Sequence, residues 1–79
     1  MLVEIRAFGG LEKYVTGAEA GKVVRLEAPQ GITIEKLLDR EGIPRSKVYF
    51  LLLNGKYAKR EAILNPGDQL FLFPLIEGG

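Results

Sequence analysis

A single segment of the chain has the pattern of a well-formed helix. Ile34, Leu37 and Leu38 fall on one helical stripe, directly after Thr33, a residue type that caps helix N-termini. Gly42 and the proline two residues later end the segment, because glycine adopts the left-handed conformation of a helix end and proline cannot continue a helix. A lone apolar stripe must be buried against another element, so the rest of the chain has to supply a sheet.

The residues before this helix predict two strands joined by a short crossing segment. In residues 2–8 apolar and charged side chains alternate, which is the period of a half-buried strand, and the glycines at 9 and 10 end it. The apolar spacing of residues 11–15 predicts one or two helical turns. Residues 22–28 alternate again and stop at a Pro-Gln-Gly turn.

The residues after the helix predict three more strands. Residues 48–53 are apolar at every position, which favours a central strand covered on both faces. Asn54-Gly55 predicts a tight turn into a short edge strand at Lys56-Tyr57. An Asn-Pro-Gly-Asp turn at 65–68 leads into the last strand, residues 69–75, which Pro74 ends because proline cannot donate to a ladder.

This order of elements predicts an α+β domain of the β-grasp, or ubiquitin-like, fold. We expect a mixed sheet of about five strands with the main helix packed on one face. The domain covers residues 1–74, and residues 75–79 form a flexible C-terminal tail. The predicted core consists of the apolar residues that share one face of these elements: Val3, Ile5, Val24, Leu26, Ile34, Leu37, Leu38, Val48, Phe50, Leu52, Leu64, Leu70 and Leu72.

Composition excludes several classes of protein. The 79 residues suffice for one small domain and include neither cysteine nor histidine, so disulfides, Cys/His zinc sites and the usual neutral-pH general base are excluded. Eleven Lys and Arg against ten Asp and Glu leave no basic excess for binding nucleic acid. The longest apolar run, residues 48–53, is too short to span a membrane, and no signal peptide is visible, so we expect a cytoplasmic protein that binds no membrane.

Few side chains on the domain have a pattern that indicates chemistry. Glu35 and Asp39 are the one helical carboxylate pair, and their position opposite the apolar stripe favours a solvated charged face. Gly9-Gly10 lacks the spacing of a phosphate-binding loop and predicts a turn. The basic cluster of Lys56, Lys59 and Arg60 either protects a sheet edge from pairing or steers an acidic partner.

Aromatic residues indicate a possible docking face. Tyr49, Phe71 and Phe73 have the strand parity opposite to that of the predicted core, so they should project from the face that the helix leaves open. Small monomers seldom expose contiguous apolar surface without a partner. We therefore expect partner binding at a face that continues into the tail, formed by Phe71, Phe73, Pro74, Leu75 and Ile76; the alternative is that residues 11–15 cover this face.

The sequence stops at Gly78-Gly79, and this ending indicates a chemical role. Two glycines carry no side chains, so an extended Gly-Gly end can enter a narrow channel, and its α-carboxylate has no Cβ to hinder reaction. That carboxylate is ionised at neutral pH and is a candidate nucleophile towards the α-phosphate of ATP in another protein's site. The alternative is a chemically idle terminus that is merely rich in glycine.

With the β-grasp order and the Gly-Gly end together, the chain resembles the MoaD/ThiS family of ubiquitin-like sulfur carriers over essentially its whole length. The resemblance is carried by Asn54-Gly55 after an apolar strand, by the turn at 65–68 with Gln69-Leu70 after it, and by the ending Phe-Pro-Leu-Ile-Glu-Gly-Gly at 73–79. The Gly-Gly end on this fold is the specific part, since the turns alone are common.

The resemblance implies a carrier and co-substrate rather than an enzyme. A partner similar to ubiquitin-activating enzymes would use ATP and magnesium to adenylate Gly79, and a sulfur donor would convert the adenylate into a thiocarboxylate, with Gly78 allowing the tail to thread. No cofactor would be bound by the chain itself. The tail would then enter a sulfur-accepting synthase subunit, which is the large subunit of molybdopterin synthase in the MoaD branch and thiazole synthase in the ThiS branch.

The residues of the tail indicate which branch of the family, MoaD or ThiS, the chain resembles more. Phe73-Pro74 before an apolar pair resembles MoaD, which implies molybdopterin (molybdenum or tungsten cofactor) biosynthesis with this chain as the small synthase subunit. Glu77 departs from that pattern, and residues 42–45 resemble ThiS, so thiamine thiazole synthesis stays open. Two other hypotheses are a ubiquitin-like modifier conjugated through Gly79 and an interaction module whose tail is idle.

Overall fold

The predicted helix is present as α1, Ile34–Arg40, in a computed structural model that describes residues 1–15, 17 and 19–75. Thr33 caps its N-terminus, where the Oγ1 atom accepts a hydrogen bond from the backbone N–H of Lys36 at 3.3 Å. Gly42 lies just past the C-terminus with φ at +70°. Both predicted ends of the helix are therefore confirmed.

Five strands form one mixed sheet in the order β2-β1-β5-β3-β4. β1 pairs antiparallel with β2 and parallel with β5, whereas β3 pairs antiparallel with both β5 and β4. Two 3-10 helices, Leu11–Tyr14 and Arg45–Lys47, lie in the connections after β1 and after α1. The strand bounds are β1 Leu2–Ala7, β2 Val24–Glu27, β3 Phe50–Leu53, β4 Lys56–Tyr57 and β5 Gln69–Phe73.

The hydrophobic core joins the stripe of α1 to one face of this sheet. Nine predicted core residues are buried: Val3, Ile5, Ile34, Leu37, Leu38, Val48, Leu64, Leu70 and Leu72. The core also takes in Ala7, Leu11, Val15, Ala28, Ile32, Ile43 and Leu51. Val24 and Leu26 have the predicted face but are only half-buried, because β2 is an edge strand with a neighbour on one side.

The predicted orientation of the strand at 48–53 is wrong. Leu51 is buried against the core, while Phe50 and Leu52 are half-buried and pair across the sheet with Phe73 and Phe71. The strand is also not central, since β5 holds the middle position. A run that is apolar throughout has no alternation to set its parity, so pairing with β5 decides which side chains face the helix.

Two turns pin β3 to β5. Asn54 and Gly55 both have positive φ, at 53° and 85°, and form the predicted tight turn into β4. The Asn54 side chain donates to Asp68 Oδ1 at 2.9 Å and accepts from the backbone N–H of Gln69 at 2.9 Å. The other Asp68 oxygen accepts from the N–H of Asn65 at 2.7 Å. Side chains of one turn thus bind the backbone that begins β5, which fixes the register between these strands.

Candidate partner-binding surface

The sheet face opposite α1 carries a row of aromatic rings, which we call the aromatic surface: Phe8, Phe50, Tyr57, Phe71 and Phe73. Phe73 is stacked between two neighbours, with ring centroids 4.8 Å from Phe8 and 4.6 Å from Phe50. Tyr57 continues the row at 5.6 Å from Phe50. The four phenylalanines are half-buried and Tyr57 is 80% exposed, so the rings support one another while one side of the row stays accessible.

Strand register assembles this row from three separate parts of the sequence. Phe50 lies opposite Phe73 in the β3–β5 pairing. Tyr57 lies opposite Leu52, the neighbour of Phe71, in the β3–β4 pairing. Phe8 follows β1 and donates its backbone N–H to Leu72 at 3.1 Å, which holds it beside the end of β5. The sheet thus brings side chains from positions 8, 50, 57, 71 and 73 together.

The strand parity behind the predicted docking face is correct for Phe71 and Phe73, which lie on the open face of the sheet. Tyr49 precedes β3 and is 66% exposed, and its ring meets the edge of Phe50 with centroids 6.5 Å apart, so it borders the row. Phe8, Phe50 and Tyr57 were missed by sequence reasoning. Phe8 could have been found from the alternation of residues 2–8, which places it with Glu4 and Arg6. Phe50 required the correct parity of β3.

The alternative cover for this face, residues 11–15, packs elsewhere. Leu11 and Val15 are buried in the core cluster that contains the stripe of α1. Phe8 is the residue of this part of the chain that lies against Phe71 and Phe73. Residues 11–15 are therefore not the cover of the aromatic surface; among the described residues of the same connection, Gly21 lies against it, since a Cβ there would be 3.3 Å from Phe8 Cε1.

Charged groups border the aromatic surface on the side of β1. The Arg6 guanidinium lies over the Phe71 ring, 5.5 Å from its centroid. Glu4 is paired with Arg25 at 3.4 Å and accepts from the Gln69 side chain at 3.2 Å. Among the described residues Arg6 has no carboxylate within ion-pair distance, so it contributes an uncompensated positive charge at the edge of the rings.

The chain leaves the sheet next to the aromatic surface. Pro74 follows Phe73 directly, and Leu75 is 59% exposed. Both residues line a groove of about 380 Å³ whose other walls include Lys13 and Lys47. The remaining predicted site residues, Ile76, Gly78 and Gly79, lie outside the described residues.

The helical carboxylate pair forms an exposed ion-pair cluster. Arg45 donates from Nε to Asp39 at 3.0 Å and lies 3.4 Å from Glu35. The hydrogen bond from Arg45 lowers the pKa of Asp39 below its usual value of 3.8, and the same contact raises the pKa of Arg45. Because Asp39 is held ionised by this cation, it is a poor proton donor near neutral pH, and the exposed cluster agrees with the predicted solvated face.

The predicted basic cluster divides into two parts. Arg60 donates to the backbone carbonyls of Arg45 and Val48 at 2.9 and 2.8 Å, so it fastens the connection before β3. Lys56 and Lys59 are exposed, and Lys56 belongs to the edge strand β4. A lysine at this place disfavours pairing with a second sheet.

The part of the chain that the structure describes holds neither a metal-binding cluster nor a membrane-spanning helix. No group of three metal-ligating side chains comes together there. No helix in that part has the length and apolar character needed to cross a bilayer.

Comparisons with known proteins agree with this architecture. A family model described as Mut7-C ubiquitin matches residues 1–78. A search of curated protein sequences found no match. Among solved structures, small archaeal modifier protein 1 from Haloferax volcanii is 25% identical over 95% of this chain and 98% of its own, with a TM-score of 0.71.

Two molybdopterin-related structures are also similar. A putative molybdopterin converting factor subunit 1 from Pyrococcus furiosus is 17% identical over 95% of this chain and 98% of its own, with a TM-score of 0.69. A complex of subunits 1 and 2 of the molybdopterin-converting factor from Helicobacter pylori has a chain 22% identical over 100% of both, with a TM-score of 0.62. The structural likenesses confirm the β-grasp fold. The family model confirms that the chain is ubiquitin-like, and by this model the chain belongs to the Mut7-C ubiquitin family.

Proposed function

We propose that this chain is a sulfur carrier whose C-terminal glycine, Gly79, is adenylated and converted into a thiocarboxylate that supplies sulfur for molybdopterin synthesis. The chain is then a carrier and co-substrate in the cytoplasm, the small subunit of a synthase rather than an enzyme on its own. It binds no cofactor, and ATP and magnesium are used by the adenylating partner.

One observation carries this proposal: the aromatic surface runs directly into the root of the tail. Phe73 is stacked between Phe8 and Phe50, and Pro74 and Leu75 follow it. Gly79 is the fourth residue after Leu75, and an extended chain spans at most roughly 14 Å over that length. A partner that docks on the rings therefore has its reactive site within a short, fixed reach of the terminal carboxylate.

The chemistry needs a free terminal carboxylate and a partner, and nothing more from this chain. The carboxylate oxygen attacks the α-phosphate of ATP, which forms an acyl-adenylate and releases pyrophosphate. Sulfide then attacks the carbonyl carbon and displaces AMP, which leaves the thiocarboxylate. The Gly-Gly end suits both steps, because glycine places no Cβ beside the reacting carbon or along the channel.

The accepting partner is proposed from similarity. A structurally similar chain from Helicobacter pylori is seen in complex with the second subunit of its molybdopterin-converting factor. We propose an equivalent large subunit as the acceptor here, and Phe71, Phe73, Pro74, Leu75 and Ile76 as its binding residues. Thiazole synthase is the alternative acceptor.

A second candidate function rests on the same activated glycine. The similarity to small archaeal modifier protein 1 favours conjugation of Gly79 to lysines of target proteins. Attack by a lysine amine on the acyl-adenylate gives an amide and releases AMP. If the acyl group first passes to a partner's thiol with release of AMP, the amine attacks that thioester and releases the thiol, and no thiocarboxylate is formed. Conjugates in cells that carry the intact tail, absent in cells whose chain lacks Gly79, distinguish this function from sulfur transfer.

The test of the carrier function is the intact mass of the protein after incubation with a sulfur-carrier activating enzyme, ATP, magnesium and sulfide. We expect a gain equal to the exchange of one oxygen for one sulfur. A variant lacking Gly78 and Gly79 is the control for the tail. A Lys59→Ala variant, whose tail is intact, is the control for effects of a substitution away from the tail. No gain with any of several activating enzymes would contradict the proposal and favour an interaction module with an idle tail.

A further inference from the structure

Gly9 and Pro74 make a close contact at the point where the chain leaves the sheet. Gly9 has φ at +62°, and a Cβ on this residue would overlap with Pro74 Cγ and lie 2.9 Å from Pro74 Cδ. Carbon atoms do not approach so closely without displacing one another. The proline ring therefore occupies the space that any side chain at position 9 would need.

Backbone hydrogen bonds hold both sides of this contact in place. Phe8 donates to Leu72 at 3.1 Å, and Leu11 donates to Phe8 at 3.1 Å, which closes the turn that contains Gly9. On the other side of β5, Tyr49 donates to Phe73 at 2.9 Å. Because the ends of β1 and β5 are fixed in this way, the Pro74 ring can yield to a methyl group at position 9 only by moving away from the turn.

The position of the proline ring determines where the tail begins. Proline fixes its own φ near −65°, so the orientation of its ring sets the direction of the following residue. Leu75 lines the groove beside Lys13 and Lys47, next to the aromatic surface. A displaced ring redirects Leu75, while the aromatic surface keeps its register with the rest of the sheet.

We propose that Gly9 is a positioning residue for the tail: by leaving room for the Pro74 ring, it sets the direction in which the chain leaves the sheet towards the reactive site of the activating partner. This inference rests on the proposed function. The inference assigns two roles to two parts of the molecule. The rings bind the partner, and the contact between Gly9 and Pro74 orients the tail that carries the terminal carboxylate.

Gly10 supplies a matched control. It also has a positive φ, at 98°, but a Cβ there would meet nothing within 4 Å. An alanine at either position carries the backbone strain of a left-handed conformation, and only the alanine at position 9 also collides with Pro74.

The experiment measures adenylation of each variant by the activating enzyme as a function of carrier concentration, with thermal unfolding as the check of folding. Gly9→Ala should lower kcat roughly tenfold or more and leave KM within about twofold, since misplacement of a reacting group by about 1 Å is enough for losses of this size. Gly10→Ala should retain the wild-type kcat. Equal kcat for Gly9→Ala and Gly10→Ala would overturn the inference.

A structural measurement separates this inference from the proposed function. The chain has no cysteine, so a nitroxide on a Leu75→Cys substitution labels one site. The nitroxide should broaden the amide signals of Tyr14 and Ser46. Compared with the labelled chain that keeps both glycines, this broadening should be unchanged with Gly10→Ala and altered with Gly9→Ala. A wild-type chain that is not adenylated contradicts the proposed function. An unaltered pattern with Gly9→Ala contradicts the positioning role.

Discussion

The same strands form both faces of the sheet, but one face packs in the core and the other carries accessible aromatic rings. On the helix face, Leu51 and Leu72 lie opposite each other and are buried under α1. On the other face, their neighbours Phe50 and Phe73 also lie opposite each other, yet their rings stay half-buried and stack on each other. The helix face is therefore buried as part of the core, whereas the opposite face keeps accessible apolar surface.

The difference shows how a very small domain can separate stability from binding. A chain of 79 residues buries only about 60% of its unfolded surface, so its stability depends on every residue of the single core. The aromatic surface is outside that core, and its rings are rigid and large, as is common in binding sites. Substitutions on the two faces should therefore affect different measurements.

The largest effect is expected on the helix face. Leu37 lies on the α1 stripe with 1% of its surface exposed, so Leu37→Ala removes buried methyl groups and leaves a cavity. Such changes cost about 2–5 kcal/mol, a large part of the stability of a small domain. Thermal unfolding should show a midpoint lowered by at least about 10 °C. Lys36→Ala, on the exposed side of the same helix, should leave the midpoint nearly unchanged; equal midpoints for the two variants would contradict the assigned stripe.

On the aromatic surface the larger effect should be on binding. The double substitution Phe71→Ser/Phe73→Ser removes the centre of the ring row and should weaken binding to the activating enzyme by roughly 30-fold or more, the size of a binding hot spot. Titration calorimetry measures the change, and circular dichroism shows whether the sheet is retained. Ile63→Ser is the control, because Ile63 is an exposed apolar residue, 58% accessible, that is not part of the aromatic surface. Full affinity of a folded double variant would remove the docking role.

The smallest effect is expected on the outer side of α1. The hydrogen bond from Arg45 lowers the pKa of Asp39 in the folded state, so this contact contributes stability above the unfolded pKa and loses it as the pH falls through the folded pKa. Arg45→Gln should therefore be slightly less stable than the wild type at pH 7, and the difference should shrink on acidification below about pH 4. Denaturant titrations at both pH values measure it. A difference that grows on acidification would contradict the assigned ion pair.

The sequence predicted the parts of the fold whose local patterns are unambiguous. Thr33 and Gly42 mark the ends of α1, and Asn54-Gly55 marks the turn into β4, because each position requires a particular hydrogen-bonding group or a positive φ. The alternation of β1 and β5 gave the correct buried faces. Each of these signals lies within a few residues, so no tertiary contact was needed to interpret it.

The prediction failed where the pattern was uniform. β3 is apolar throughout, so its parity could not be derived from alternation, and the resulting error placed Phe50 and Leu52 in the core. The pairing of β3 with β5, held by Asn54 and Asp68, supplies the missing information. Contacts between distant positions, such as Phe8 on Phe73 and Gly9 on Pro74, also had no local signal.

The measurement that most directly tests the division between the two faces is a nuclear magnetic resonance titration of the isotope-labelled chain with unlabelled activating enzyme. We predict that amide signals of β5, β3 and Tyr57 broaden or shift first, while those of α1 stay unchanged. The helix side offers a competing site, a groove of about 480 Å³ lined by residues 29–32 and by α1 residues that include Lys36. Changes confined to that groove, with the aromatic surface unaffected, would contradict the assignment of binding to the rings.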